Sequence, residues 1–328
     1  MKPVIHSLAP TGHTGGRVYL RMLQQLTSEE ITWRTVPDFK RSDRTRRWRT
    51  MRHLSTIAPH IRALHDAPGA FVWDDLSLLL FAPSMRARTI FVFHHYEPLQ
   101  HDSAPIQAQL WQQLFSVLPQ CAAVVCVAPY WARFLQARGV DKVHVVYNSV
   151  DMTEIDHVRS LDKTECRAAY GLPPDGVLVY AGKAVHGKGT DLITTAADQD
   201  RRLHVITTGS NTIGRTGPHF NLPRQQYLRL LHACDVGVFT PQIAEGWSRC
   251  AAEALLIGLP CLIQPIAGLG DLARLTGQPA PDLHHLAHQL HERAAAPPAD
   301  MKLVYDALAR YDLNYFQQAW NAVLATVT

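Results

Sequence analysis

Glu245 and Glu253 enclose seven residues, Gly-Trp-Ser-Arg-Cys-Ala-Ala, and are the first pair in this chain whose spacing suggests chemistry. The segment follows a strand-like run ending at Phe239-Thr240-Pro241 and opens a helix, expected at Ser248–Leu256, that closes at Gly258-Leu259-Pro260. Glu245, in the loop, can face a ligand, and Glu253, about two turns in, points to the same side. Carboxylates accept hydrogen bonds from pairs of sugar hydroxyls. The free N–H groups of the first turn attract an anion such as phosphate. The same spacing also fits two unrelated surface glutamates, and spacing alone leaves both readings open. It argues against hydrolysis by this pair: retaining glycosidases need carboxyls about 5 Å apart, whereas seven helical residues span roughly 12 Å.

A second candidate is the loop Pro10-Thr11-Gly12-His13-Thr14-Gly15-Gly16-Arg17, between a first strand and a helix. Gly15 and Gly16 let backbone approach a phosphate, and the helix start supplies N–H groups. His94-His95 closes another strand, Thr89–His94. The lone Asp-x-Asp, Asp198-Gln199-Asp200, stands beside Arg201 and Arg202 and reads as a turn, so no metal site is expected. Six cysteines form no CxxC pair and sit mostly in apolar runs, which points to reduced, buried thiols.

Positioning these residues requires an alternation of short apolar runs and amphipathic stretches. Strands are expected at Val4–Ser7, Thr32–Thr35, Ala70–Trp73, Thr89–His94, Ala123–Val127 and Val143–Val146, then at Val177–Ala181, Leu203–Thr207, Val236–Phe239 and Cys261–Ile263. Helical segments between them predict α/β domains with parallel sheets covered on both faces. At 328 residues the chain suits two such domains. The polar stretch Asp151–Gly176 is the expected boundary, and Tyr311–Val327 is a final amphipathic helix carrying Trp320.

With 47% apolar and 18% charged residues, the composition is that of a globular protein. No run reaches the roughly 18 apolar residues of a membrane span, and the start of the chain lacks a leader's apolar region, so a cytoplasmic location is expected. The positive charge is local. Lys40–Arg52 holds seven basic residues and one acid. Arg44, Arg47 and Trp48 within it offer a solvated face, a docking surface for an acidic or lipid-linked acceptor, or a peripheral contact with anionic membrane. No recognition motif accompanies the charge, so no nucleic acid is expected.

Taken together, the segments Pro241…Glu245-Gly246-Trp247-Ser248…Glu253…Gly258-Leu259-Pro260…Ala267-Gly268-Leu269-Gly270-Asp271 resemble the E-x7-E region, G-x-P and glycine-acid loop of glycosyltransferase family 4, the retaining GT-B glycosyltransferases. Gly182-Lys183-Ala184-Val185-His186-Gly187-Lys188-Gly189 resembles that family's G-R-x-x-x-x-K-G loop, and Tyr147-Asn148-Ser149-Val150-Asp151 its P-N-G-V-D. The resemblance covers about two thirds of the chain and leaves out only the region from Ile31 to Ala87. It implies a GT-B fold: two Rossmann-like domains with an interdomain cleft and a C-terminal crossover helix. Residues 1–160 with 309–328 would form the acceptor side, and residues 161–308 the nucleotide-sugar side.

The resemblance further implies that Glu253 holds the donor ribose and Glu245 the transferred sugar. Lys183 and Lys188 would neutralise the diphosphate of a UDP- or GDP-sugar, where preorganised cations stabilise the developing charge. Gly15, Gly16, Gly246, Trp247 and Ser248 would line the donor, and Asn221 and Leu222 would lie near its base. His94, or His95 close behind it, would contact the sugar near the reacting carbon. Transfer to a saccharide, lipid-linked or natural-product acceptor, with retention and without a cofactor, is the implied reaction. Lys183 stands where the family has Arg, replacing a bidentate fork by a point charge, and Ser248 stands where it has Gly. These two departures keep open a catalytically silent binding module. A sugar-nucleotide epimerase of related fold is the other alternative.

Overall fold

The computed structural model describes residues 2–11, 15–37, 46–97, 105–214, 217–295 and 298–327. The chain divides into two compact units, Met1–Asn148 with Asn314–Thr328, and Ser149–Leu313. Both are α/β units built on parallel sheets, as the alternating pattern predicts.

In the first unit β1 (Val4–Leu8), β2 (Thr32–Val36), β3 (Ala70–Trp73), β4 (Thr89–Phe93), β5 (Ala123–Cys126) and β6 (Val143–Val145) lie in the order β2-β1-β3-β4-β5-β6. Every pair is parallel, with Ile5 facing Trp33 on one side and Ala70 on the other. The inner strands β3, β4 and β5 are buried along their whole length, whereas the edge strand β2 exposes Thr32, Arg34 and Thr35. That contrast explains their sequences: inner strands covered on both faces are continuously apolar. Burying a side chain such as Ile5, Val72, Phe91 or Val125 contributes about 1.5–3 kcal/mol.

The final helix, Leu313–Leu324, belongs to this unit except at its first residue. Its buried residues Phe316, Trp320, Val323 and Leu324 recur at helical spacing. Trp320 Nε1 donates to the Tyr19 hydroxyl at 3.1 Å, and that hydroxyl donates to the Val146 carbonyl at 3.0 Å. Tyr19 is fully buried in the helix Gly15–Leu26.

The second unit carries β7 (Val177–Tyr180), β8 (Leu203–Thr208), β9 (His219–Phe220), β10 (Val236–Phe239) and β11 (Cys261–Ile263) in the order β11-β10-β7-β8-β9. Val179, Val205, Val236, Val238 and Leu262 form its core with Ile193, Leu286 and Leu290. The polar stretch read as a boundary is mostly helical, Met152–Arg159 and Lys163–Ala169. The second of these helices is fastened to the sheet by Asp235, which pairs with Lys163 and Arg167 and accepts from the Leu178 N–H. Asp151 and Asp162 cap the two helices by accepting from the N–H groups of Thr153 and Glu165. Ala267–Thr276, read as a glycine-acid loop, is also a helix, with Gly268 and Gly270 buried in it. Among the described residues, no helix is long and apolar enough to cross a membrane.

Candidate functional site

Each sheet reverses its strand order once, between β1 and β3 in the first unit and between β7 and β10 in the second. In open parallel sheets the crevice beyond the carboxyl ends at such a point is where ligands bind. Most of the residues singled out in the sequence stand at these two places.

In the second unit, the turn after β7 carries Gly182 and Lys183, and Lys188 closes a short turn at His186–Lys188. Gly189 has φ +67° and leaves no room for a side chain, because a Cβ there would lie 2.0 Å from the Thr240 carbonyl oxygen. Gln242 N–H donates to the Gly187 carbonyl at 3.1 Å. The loops after β7 and β10 are thereby locked together, which brings Lys188 into an ion pair with Glu245. Lys183 is exposed, its carbonyl accepts from Thr190, and its methylenes pass over Gly209 at the end of β8.

The helix expected at Ser248–Leu256 runs from Arg249 to Ile257, with Ser248 as its N-cap. Ser248 (φ 54°) holds a left-handed conformation just ahead of this helix, and Ala267 (φ 49°) holds another at the start of Ala267–Thr276. The Glu245 carbonyl accepts from Gly268 N–H at 3.1 Å. Glu245 lies in the loop, on Lys188, and Glu253 in the helix. Glu253 is 2% exposed, and its Oε1 accepts from Arg224 Nη1 at 2.5 Å and Arg249 Nε at 2.7 Å. Burial alone would push its carboxyl up. The Arg249 and Arg224 guanidiniums outweigh that and hold it below the ordinary carboxylate value.

Trp247 is a core residue, 2% exposed, with its ring edge-on to Tyr311. Its side chain does not line a ligand surface, which narrows the expected donor contact to its backbone. Gly246 and Ser248 are half-buried in the same loop. Asn221 is exposed and Leu222 half-buried, both just ahead of the helix Arg224–Ala233. Asp200 takes part in a turn, as expected, accepting from Arg202 and from His291.

In the first unit, His94 follows β4 and is half-buried, while its neighbour His95 is exposed. The His94 ring meets Tyr19 edge-on at 5.4 Å, and its Nε2 lies 3.9 Å from Asp74 Oδ2. A Cβ on Gly16 would come within 2.9 Å of that nitrogen, so glycine is what lets the helix start approach the imidazole; Gly15 is open to its surroundings. Arg17, 5% exposed, places Nη1 3.1 and 3.2 Å from the two Asp74 oxygens. One residue on, Asp75 accepts from His53 and Ser77, tying the helix Arg46–Ala63 to the end of β3. Arg44 lies outside the described residues; Arg47 and Trp48 fall in that helix, with side chains outside the description.

Sequence reasoning missed Arg17, Asp74, Asp75, Arg224 and Arg249. Arg17 directly follows the Gly15-Gly16 pair, and Arg249 stands four residues before Glu253, a helical contact spacing. Those two signals were available. Arg224 and Asp74 reach their partners from 29 and 57 residues away, and nothing local announces that. All six cysteines are free; Cys250 is half-buried and the other five are buried. Among the described residues, no group of three His, Cys, Asp or Glu side chains is arranged to hold a metal.

Compared with solved structures, the chain is similar over its whole length to a sucrose-phosphate synthase from Thermosynechococcus elongatus, with TM-score 0.79, 15% identity and 100% of this chain matched to 99% of that one. It is similar also to Anabaena HepE in complex with UDP-glucose (TM-score 0.74, 13% identity, 98% of this chain and 100% of that one). A third is an α,α-trehalose 6-phosphate synthase from Burkholderia multivorans (TM-score 0.68, 14% identity, 99% and 98%). At these identities the likeness establishes the fold, which is GT-B. No curated protein matches the chain in sequence. Residues 11–154, most of the first unit, match the model of Glycosyltransferase Family 4. That match spans less than half of the chain and makes the first unit GT4-like, while the whole-chain likeness shows the GT-B fold.

Proposed function

We propose that the chain is a retaining glycosyltransferase that moves a sugar from a UDP- or GDP-sugar to a hydroxyl of a saccharide, lipid-linked or natural-product acceptor. The observation that carries this reading is the set of groups at the strand-order reversal of the second sheet. There a buried, ionised Glu253 stands in the helix that follows the Glu245 loop, and that loop is locked to the one bearing Lys183 and Lys188. Glu253 accepts from the ribose hydroxyls, and Glu245 from hydroxyls of the transferred sugar. Lys188 is held ready by Glu245 and turns to the diphosphate with Lys183 when the donor binds. The backbone of Gly246, Trp247 and Ser248 and the first turn at Arg249 add N–H donors, and Asn221 and Leu222 flank the base. In the first unit, His94, with His95 beside it, is assigned to a sugar, and Gly16, next to Gly15, lets the helix start lie close to the His94 ring.

In the reaction, the bond between the anomeric carbon and the β-phosphate oxygen breaks and a bond to the acceptor oxygen forms on the same face. The acceptor proton passes to the departing phosphate. The lysines supply charge to the leaving group and need not exchange protons. Arg44, Arg47 and Trp48 are assigned to the acceptor, with the basic run also suited to an anionic membrane surface. The structure of HepE with UDP-glucose supports a uridine donor.

Thermal shifts with UDP-, GDP- and dTDP-sugars test the donor, because a ligand bound only by the native state raises its stability. Glu253→Ala and Lys188→Ala should each lose most of the shift. Wild-type shifts in both variants would remove the donor site from this place. Retention is checked by the anomeric configuration of the product, and an inverted product would refute it.

A further inference from the structure

Glu253 is gripped asymmetrically. Arg224 and Arg249 both contact Oε1, and neither is hydrogen-bonded to Oε2. The two grips differ in origin. Arg249 reaches from one turn earlier in the same helix, so it moves with Glu253. Arg224 comes from the start of another helix, Arg224–Ala233, and is itself braced by Glu154 Oε2, 3.1 Å from its Nε. The chain Glu154–Arg224–Glu253 thus ties three helices, Met152–Arg159, Arg224–Ala233 and Arg249–Ile257, through one guanidinium. A planar fork with several donors serves two carboxylates at once in a fixed geometry. The arrangement also leaves Arg224 Nη2 buried without a hydrogen-bond partner among the described residues. A buried donor left unmatched is costly, and a cluster built for stability alone would not keep one.

We propose that Arg224 is a specificity-determining positioning residue: braced by Glu154, it fixes Glu253 through Oε1 so that the other carboxylate oxygen is aimed at the ribose hydroxyls, and so sets how strictly the site demands a ribonucleotide. This rests on the reading of Glu253 as the ribose carboxylate. An aimed oxygen accepts a hydroxyl hydrogen bond at good geometry, and its loss is felt when the hydroxyl is missing. A carboxylate free to rotate compensates and discriminates poorly.

The test measures dissociation constants of UDP, 2′-deoxy-UDP and 3′-deoxy-UDP by titration calorimetry on the full chain, or of the guanosine counterparts where the donor panel selects GDP. Wild type should bind at least one deoxy analogue roughly 10- to 100-fold more weakly than the parent, the worth of one charge-assisted hydrogen bond. Arg224→Lys keeps the charge but replaces the rigid fork by a point charge on a flexible stem, and should reduce that ratio to within about threefold. Glu154→Gln should move it in the same direction through the loss of the brace. If Glu253→Ala leaves UDP binding at the wild-type level, the donor-site reading itself fails. If Glu253→Ala loses binding while Arg224→Lys keeps the full ratio, the positioning role is overturned and the donor site stands. Should Arg224→Lys not fold, Glu154→Gln decides, and an unchanged ratio there overturns the proposal.

Discussion

Gly16→Ala is the sharpest probe of the first unit, because Gly15→Ala provides its control one residue away. At Gly15 an added Cβ meets nothing within 4 Å. At Gly16 it would lie 2.9 Å from His94 Nε2 and 3.0 Å from Cδ2, whereas ordinary contact begins at 3.4 Å, so the ring must retreat by about 0.5 Å. Tyr19 at 5.4 Å and Asp74 at 3.9 Å limit where it can go. Overpacking of this kind costs about 1–3 kcal/mol, and alanine in place of glycine in a helix returns about 1 kcal/mol. The net loss of about 0–2 kcal/mol should lower Tm by no more than a few degrees. Activity should suffer more. A misplacement of about 1 Å is worth on the order of a hundredfold in rate, so half of that predicts about a tenfold fall in kcat/KM. The assay is release of nucleoside diphosphate from the preferred donor, beside a calorimetric Tm. Gly15→Ala should give an equal or slightly higher Tm, and its activity sets the effect of an added methyl group that does not touch His94. If Gly16→Ala turns over within twofold of Gly15→Ala, His94 is not held where the reaction needs it.

Other outcomes follow from the second unit. Ser248→Gly relieves a left-handed backbone at φ 54° and should change stability by at most about 1 kcal/mol in the favourable direction, since glycine also loosens the unfolded chain; a loss on chemical denaturation would contradict the strain. Glu253 is held below its ordinary value of 4.5, so its contribution to stability is full above that pH and is lost as pH falls through the lower folded value. Denaturant midpoints of wild type and Glu253→Gln should therefore differ most near neutrality and converge in acid; a gap that widens in acid would refute the ionised pair. Burial pushes the thiols of Cys121, Cys234 and Cys261 up to about 12, leaving almost no thiolate at neutral pH. None of the three should react with Ellman's reagent until the protein is unfolded, a count that peptide mapping of the labelled protein checks.

The strands were legible because inner parallel strands advertise themselves as unbroken apolar runs, and β9, two residues long at a sheet edge, carries no such signal. Met152–Arg159 and Lys163–Ala169 were hidden by their polarity: each buries only one or two residues and depends on caps and on Asp235. The helix Ala267–Thr276 was hidden by glycine, which there serves close packing, since a Cβ on Gly270 would meet the Pro265 carbonyl at 2.9 Å. In the site, the groups named by motif fall at the two strand-order reversals, but their partners do not follow from motif. Lys188 with Glu245, Arg224 with Glu253 and Arg17 with Asp74 are pairings made by topology, and a linear pattern carries no trace of them.

Trp320, 301 residues beyond Tyr19, completes the core around it, and Tyr19 sits three residues past Gly16. Synthesis must therefore pass Trp320 before the first unit can close, and the second unit, continuous from Ser149 to Leu313, has every residue it needs earlier. A nascent chain on the ribosome would finish the second unit first. Residues 1–148 made alone would leave Tyr19 and its apolar surroundings uncovered, a liability for any attempt to produce that half by itself.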